Sequence, residues 1–253
     1  MVTQPLWTGP AVALVNLFDQ DGAIAPKETA AHAARVVAAG IRGVLVNGST
    51  GEAATLTDPE RVELIAAVRQ ACPDVPVIAG AGGEWHVQAA NRVSAAVAAG
   101  ADAVLVAPPR VVGSLSDYYA KVVRAAAGVP VLAYHYPGVA GGPVPVASLP
   151  TLGLAGIKDS SADVVRLGQE LELPVPVYVG ASALLGYASW LGAAGAIVAA
   201  ANLVPAECLA AWDRDAEAQR LVMRTEREAK ALPGGLKQAM THKYATSSFR
   251  RLG

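Results

Sequence analysis

The chain alternates two kinds of apolar pattern. Short runs rich in Val, Ile, Leu and Ala are each followed by longer Ala-rich stretches with helical spacing. "VAAGIRGVLV" (37–46) and "VAAGADAVLV" (97–106) read alike: the end of a helix, a glycine stop, then a β-branched strand. A third copy, "LGAAGAIVA" (191–199), places Gly192 where the others have Gly40 and Gly100. A second series interleaves with these: "VPVIAG" from Val75, "VPVLAY" from Val129 and "VPVYVG" from Val175. Its proline stands at the first strand position, where a missing N–H costs no ladder bond.

Together the two series predict strands beginning near Ala11, Gly43, Pro76, Ala103, Pro130, Ala155, Pro176 and Ala196. A helical pattern is expected after each, including 26–39, 58–71, 86–99 and 116–127. Thr57-Asp-Pro-Glu60 is a capping box that starts the second of these. Eight βα units of about 25–30 residues fit a (β/α)8 TIM barrel. An open doubly wound sheet is the competing architecture, but it usually has fewer strands and a Gly-rich fingerprint after the first. The expected organisation is a barrel over residues 1–204 and a helical C-terminal extension over 205–253.

Composition narrows the function. The chain is 53% hydrophobic and 16% charged with a net charge of −1, which offers no basic surface for nucleic acid or an anionic membrane. Residues 173–206 carry no charge, yet their prolines, glycines and Ser182, Ser189 and Asn202 read as strand, helix, strand rather than a membrane span. Cys72 and Cys208 sit in no CxxC motif, and the histidines at 32, 86, 135 and 242 have no metal-ligand spacing. No signal-like N-terminal pattern is present. The expectations are a cytoplasmic protein, no metal and no cofactor.

In a barrel, chemistry belongs at the C-terminal ends of the strands. There the sequence places "NGSTGE" (47–52), "YHYP" (134–137), "GIKDSSAD" (156–163) and "GAS" (180–182). A strand-end lysine is ordinarily solvated. At a barrel mouth beside a phenol and a hydroxyl-bearing glycine loop, Lys158 instead suits imine chemistry, in which burial lowers its pKa and the neutral amine attacks a ketone. Tyr134 is a candidate proton shuttle or, alternatively, a packing aromatic. His135 points to the opposite side by strand alternation. Gly48, Ser49 and Thr50 offer amides and hydroxyls to a carboxylate, or simply make a βα turn. Glu52 fits a loop-holding role better than a catalytic one.

"GSTGEAATLTDPER", "YHYPGVAGG", "GIKDSSAD" and "GAAGAIVAAAN", in that order, resemble the dihydrodipicolinate synthase / N-acetylneuraminate lyase family. The resemblance implies a class I, Schiff-base aldolase acting on pyruvate or another 2-oxo acid together with an aldehyde, in a dimer or tetramer. It implies that Lys158 forms the imine, Tyr134 is the catalytic tyrosine, and Ser49 and Thr50 bind the 2-oxo acid carboxylate. Gly180 and Ile197 match pocket positions.

Two departures concern the site. Val139 stands where the synthases have an arginine for the second substrate's carboxylate, and Pro109 and Arg110 replace paired tyrosines of a proton relay. Arg110 is retained as a candidate substrate contact from another direction. A third departure is the C-terminal helical region, which is shorter than usual. "YHYPGVAGG" is closer to the 2-keto-3-deoxy sugar-acid aldolases. The leading expectation is reversible cleavage of a 2-oxo-3-deoxy acid into pyruvate and an aldehyde. The alternatives are synthase-type condensation, a dehydratase using the same iminium, or a weakly catalytic 2-oxo acid binder.

Overall fold

A computed structural model describes residues 4–252. Eight parallel strands close into a barrel in chain order: β1 (Gly9–Ala13), β2 (Val44–Val46), β3 (Val77–Gly80), β4 (Ala103–Val106), β5 (Val131–His135), β6 (Gly156–Asp159), β7 (Val177–Val179) and β8 (Gly195–Val198), with β8 pairing back onto β1. The TIM-barrel expectation is met, and each strand starts within about two residues of its expected position. Pro76, Pro130 and Pro176 stand just before β3, β5 and β7. Each accepts a ladder bond through its carbonyl (from Val44, Val104 and Ile157) while donating none.

The repeat glycines act alike. Gly40, Gly100 and Gly192 all have φ between 90° and 101°, and each donates its N–H three residues back into the helix that it ends. Those helices are α1 (Pro26–Ala38), α3 (His86–Ala98) and α6 (Leu185–Leu191). A side chain at such φ is strained, so the repeated glycine marks a helix stop with a physical cause.

The other helices of the ring are α2 (Asp58–Ala71), α4 (Leu115–Ala125), α5 (Val164–Leu171) and α7 (Pro205–Trp212). The capping box of α2 forms in full, with Thr57 accepting from the Glu60 amide and Glu60 accepting from the Thr57 amide. Helix α4 begins one residue before the expected position because Ser114, not Leu115, is its cap. Asp163 caps α5 by accepting from the amides of Val165 and Arg166, which explains the polar run after Lys158.

Two expectations shift. No α-helix follows β5. Its place is taken by a 3₁₀ segment (Val146–Thr151) with Pro150 inside it, because prolines at 143, 145 and 150 remove the donors a longer helix needs. Helix α7 packs on α6 and β1 and so fills the eighth outer position. The helices beyond the ring are therefore α8 (Ala216–Ala231) and α9 (Gly235–Tyr244), rather than everything from Pro205.

The core has two layers. One fills the space between strands and helices; the other fills the barrel with side chains including Ala11, Leu45, Ile78, Leu132, Tyr178 and Ile197. Trp7 stacks on Tyr178 at 4.1 Å and closes the lower end. This inner layer is a packed floor beneath the site.

Candidate active site

Lys158 is the inward residue of β6, between the outward-packed Ile157 and Asp159, and pairs in register with Tyr134 on β5 and Tyr178 on β7. It is only 4% exposed. Its Nζ lies 4.5 Å from the centre of the Tyr134 ring. Among the described residues no carboxylate forms an ion pair with it. Burial draws its pKa below the ordinary lysine value of 10.5, and the nearby Tyr134 opposes the shift only in part. Gly180, just past β7, makes room for the amine's stem. A Cβ there would come within 3.0 Å of Lys158 Cε and overlap Ser160.

Above Tyr134 opens a cavity of about 440 Å³. Gly48 and Ser49 line one side of it, and Val139 and Ala140 line another. Ser49–Gly51 forms a 3₁₀ turn whose own bonds run from Gly51 to Gly48 and from Glu52 to Ser49, leaving the amides of Ser49 and Thr50 outside that ladder. Two non-glycine residues in left-handed conformation bracket the loop, Asn47 (φ 58°) and Glu52 (φ 55°). Such backbone costs about 1–3 kcal/mol each and persists only where the surroundings impose it. Asn47 is held by donating Nδ2 to the Arg61 carbonyl at 3.0 Å.

Glu52 turns away from the amine and anchors the C-terminal segment. Its Oε1 pairs with Lys237 at 2.6 Å, and its Oε2 accepts from the amides of Arg251 and Leu252 at 2.9 Å each. Arg251 also donates to the carbonyls of Gly22 and Thr55 and binds Glu60. Leu252 thereby becomes part of the cavity wall. His135 faces outward, its Nδ1 accepting from the Val144 amide at 3.0 Å.

Of the residues singled out in the sequence, the structure gathers Lys158, Tyr134 and Gly180, with Ile197 buried in the same inner layer as Tyr134. Gly48 and Ser49 share the cavity with Tyr134, whereas Thr50 does not line it. Arg110 is exposed and also lies outside the cavity lining. The backbone of its loop is instead pressed against "GVAGG", Gly142 donating to the Pro108 carbonyl at 2.9 Å. Sequence reasoning missed Arg61, Arg92 and Leu252 as lining residues, and it placed Asn47 at the mouth without giving it a role. Asn47 and Arg61 flank the glycine loop, and that proximity was the available signal. Arg92 and Leu252 come from distant parts of the chain and offered none. Among the described residues no group of three or more His, Cys, Asp or Glu is placed to hold a metal, and no helix is long and apolar enough to cross a membrane.

A family model described as "Dihydrodipicolinate synthetase family" matches residues 7–234. A 4-hydroxy-tetrahydrodipicolinate synthase of Hyphomonas neptunium is 34% identical over 87% of this chain and 80% of its own. A probable mitochondrial 4-hydroxy-2-oxoglutarate aldolase of Emericella nidulans is 31% identical over 83% of this chain and 74% of its own. The crystal structure of YagE from Escherichia coli K12, a dihydrodipicolinic acid synthase family protein solved with pyruvate, superposes with a TM-score of 0.88. It is 24% identical and covers 97% of this chain and 91% of its own, a likeness of fold. The matched span runs through all eight strands of the barrel, so the chain belongs to the dihydrodipicolinate synthetase family and is a lyase of that family.

Proposed function

We propose that the chain is a class I aldolase that reversibly cleaves a 2-oxo-3-deoxy acid into pyruvate and an aldehyde through an imine on Lys158. One observation carries this reading: a buried lysine at the barrel mouth with no acidic partner among the described residues, its amine against a tyrosine ring at 4.5 Å. Burial favours the neutral amine, which is the nucleophile.

The amine attacks the C2 ketone to give a carbinolamine. Loss of water, with proton delivery by Tyr134, gives the iminium. A base then takes the proton of the C4 hydroxyl and the C3–C4 bond breaks. Its electron pair enters the iminium to form an enamine, and the aldehyde leaves. Protonation at C3 and hydrolysis release pyruvate and restore the amine. Tyr134 is the acid/base group in reach of these steps, and the amide and hydroxyl of Ser49, which lines the cavity, are suited to the 2-oxo acid carboxylate.

Cleavage fits better than semialdehyde condensation because Val139 is an exposed apolar residue at the place where the synthases carry an arginine. The aldolase named above and the pyruvate complex of YagE lie in the same family, which supports pyruvate as the keto partner.

Borohydride added with pyruvate tests the reading. A reduced pyruvyl adduct on the peptide holding Lys158 is expected, followed by pyruvate release from a panel of 2-oxo-3-deoxy acids. Labelling at a different lysine, or none, refutes the mechanism.

A further inference from the structure

The turn that presents Ser49 has its carbonyls drawn inward. Gly48 O accepts from the Gly51 amide at 3.0 Å and from the Ala53 amide at 3.3 Å, and Ser49 O accepts from the Glu52 amide at 3.1 Å. Gly51 O accepts from outside the turn, from Asn16 Nδ2 at 2.7 Å. The Ser49 amide takes no part in this ladder, and Ser49 lines the cavity. A turn whose oxygens are tied back and whose N–H is left free is suited to an anion. Gly48 rests on Leu45, which shares the inner barrel layer with Tyr134, so the turn sits over the wall that Lys158 also touches.

Asn16 is the fixed point of that arrangement. It lies just beyond β1 and is fully buried, outside the cavity lining. Its neighbours are pinned on both sides, the Val15 amide donating to Asn202 Oδ1 at 3.2 Å and the Leu17 amide to Thr29 Oγ1 at 3.0 Å. Gly51 is pressed against it: a Cβ on Gly51 would come within 2.8 Å of Asn16 Nδ2 and 3.0 Å of the Leu14 carbonyl. Asn16 Oδ1 is buried with no hydrogen-bond partner among the described residues. An apolar side chain of the same size would carry no such desolvation cost, so the bond to Gly51 is what this amide contributes.

We infer that Asn16 is a positioning residue for the carboxylate end of the 2-oxo acid, holding the 48–52 turn where Ser49 meets the carboxylate while Lys158 meets the ketone. The inference rests on the imine reading and on the carboxylate role given to Ser49. Asn16 acts through the turn and touches neither end of the substrate.

The test is borohydride trapping at Lys158 with two ketones, pyruvate and hydroxyacetone, in which a hydroxymethyl group replaces the carboxylate. The half-saturating concentration of each is read from the reduced adduct on the peptide holding Lys158. The native protein should need about ten- to a hundredfold less pyruvate than hydroxyacetone, the range of a charge-assisted hydrogen bond. Asn16→Leu should raise the pyruvate value about three- to tenfold, as for one lost neutral hydrogen bond, and leave the hydroxyacetone value unchanged. Gly51→Ala, which moves the turn off Asn16, should give the same selective loss and reports on the contact if Asn16→Leu is not recovered folded.

If Asn16 only stabilises the fold, both ketones shift together or neither does, and either result overturns the inference. A native protein that does not prefer pyruvate also overturns it, together with the role of Ser49, and needs no variant; the imine reading then stands. Failure of both ketones to label Lys158 overturns the imine reading and this inference with it.

Discussion

Lys158 and Lys237 are equally buried, each 4% exposed, and each holds its amine against an aromatic face, Tyr134 at 4.5 Å and Phe18 at 4.0 Å. They differ in what else they meet. Lys237 pairs with Glu52 at 2.6 Å and donates to the Phe249 carbonyl at 2.9 Å, whereas Lys158 has no acidic partner among the described residues. Burial lowers the pKa of both, opposed in part by the Glu52 carboxylate for Lys237 and by Tyr134 for Lys158. One lysine is a structural cation fastening α9 and the tail to the glycine loop. The other is an amine whose neutral form burial favours. Burial alone therefore does not mark the chemical lysine; a missing counter-charge does.

The sharpest way to break this contrast is Lys158→Met. Turnover and pyruvate labelling should disappear, while the melting temperature rises at pH 7. The sign follows from the lowered pKa. Above about pH 10.4 folded and unfolded chains both hold a neutral amine. As pH falls through that value the unfolded chain takes up a proton that the folded chain resists, and stability is lost. The stabilisation by Met should thus be larger at pH 7 than at pH 10.5. Melting curves of parent and variant at the two pH values check it, and a variant less stable than its parent at pH 7 refutes it.

Tyr134→Phe probes the other half of the pair. Removing the oxygen while keeping the ring should lower kcat by about 10²–10⁴. Trapping of pyruvate should slow yet still reach completion, since Lys158 and the Ser49 loop remain. A rate within about threefold of the parent, far short of that acid/base loss, would return Tyr134 to a packing role.

Lys237→Met should do the reverse of Lys158→Met. It strands the buried Glu52 carboxylate and should destabilise the fold by about 3–5 kcal/mol, as for a buried ion pair that loses one partner. Pyruvate labelling of Lys158 should survive below the lowered melting temperature. Adding Glu52→Gln should recover part of the loss, and a double variant no better than the single one would count against the pairing.

The smallest effect is in the pH dependence of imine formation. Its rate should rise as Lys158 deprotonates, with an inflection below the ordinary lysine value of 10.5. An inflection at or above that value would mean that burial does not activate the amine.

Local features were the legible ones. The strand series, the repeat glycines and the Thr57–Glu60 box involve neighbours within a few residues, so their pattern survives in one dimension. Lys158 and Tyr134 were legible for a different reason. Strand ends in a barrel converge, so position in the pattern implies proximity before any distance is known. The missing helix after β5 was also written in the prolines, but it was overridden by the expectation of regular repeats. Arg110 illustrates the converse. Motif position put it at the substrate, while the folded chain leaves it exposed because its loop packs by backbone against Gly141 and Gly142.

What the sequence determined by itself is the order of strands, the stops between them, and the two side chains that face each other at the mouth, all consequences of short-range periodicity and a closed topology. The tertiary structure alone decided which cations are paired. Lys237 and Glu52 meet across 185 residues, the Leu252 amide reaches Glu52 across 200, and Arg61 and Arg92 come from different helices to share Asp58. Charge pairing depends on distances of a few ångströms between remote segments and on the solvent left between them, and no periodicity in the chain encodes either.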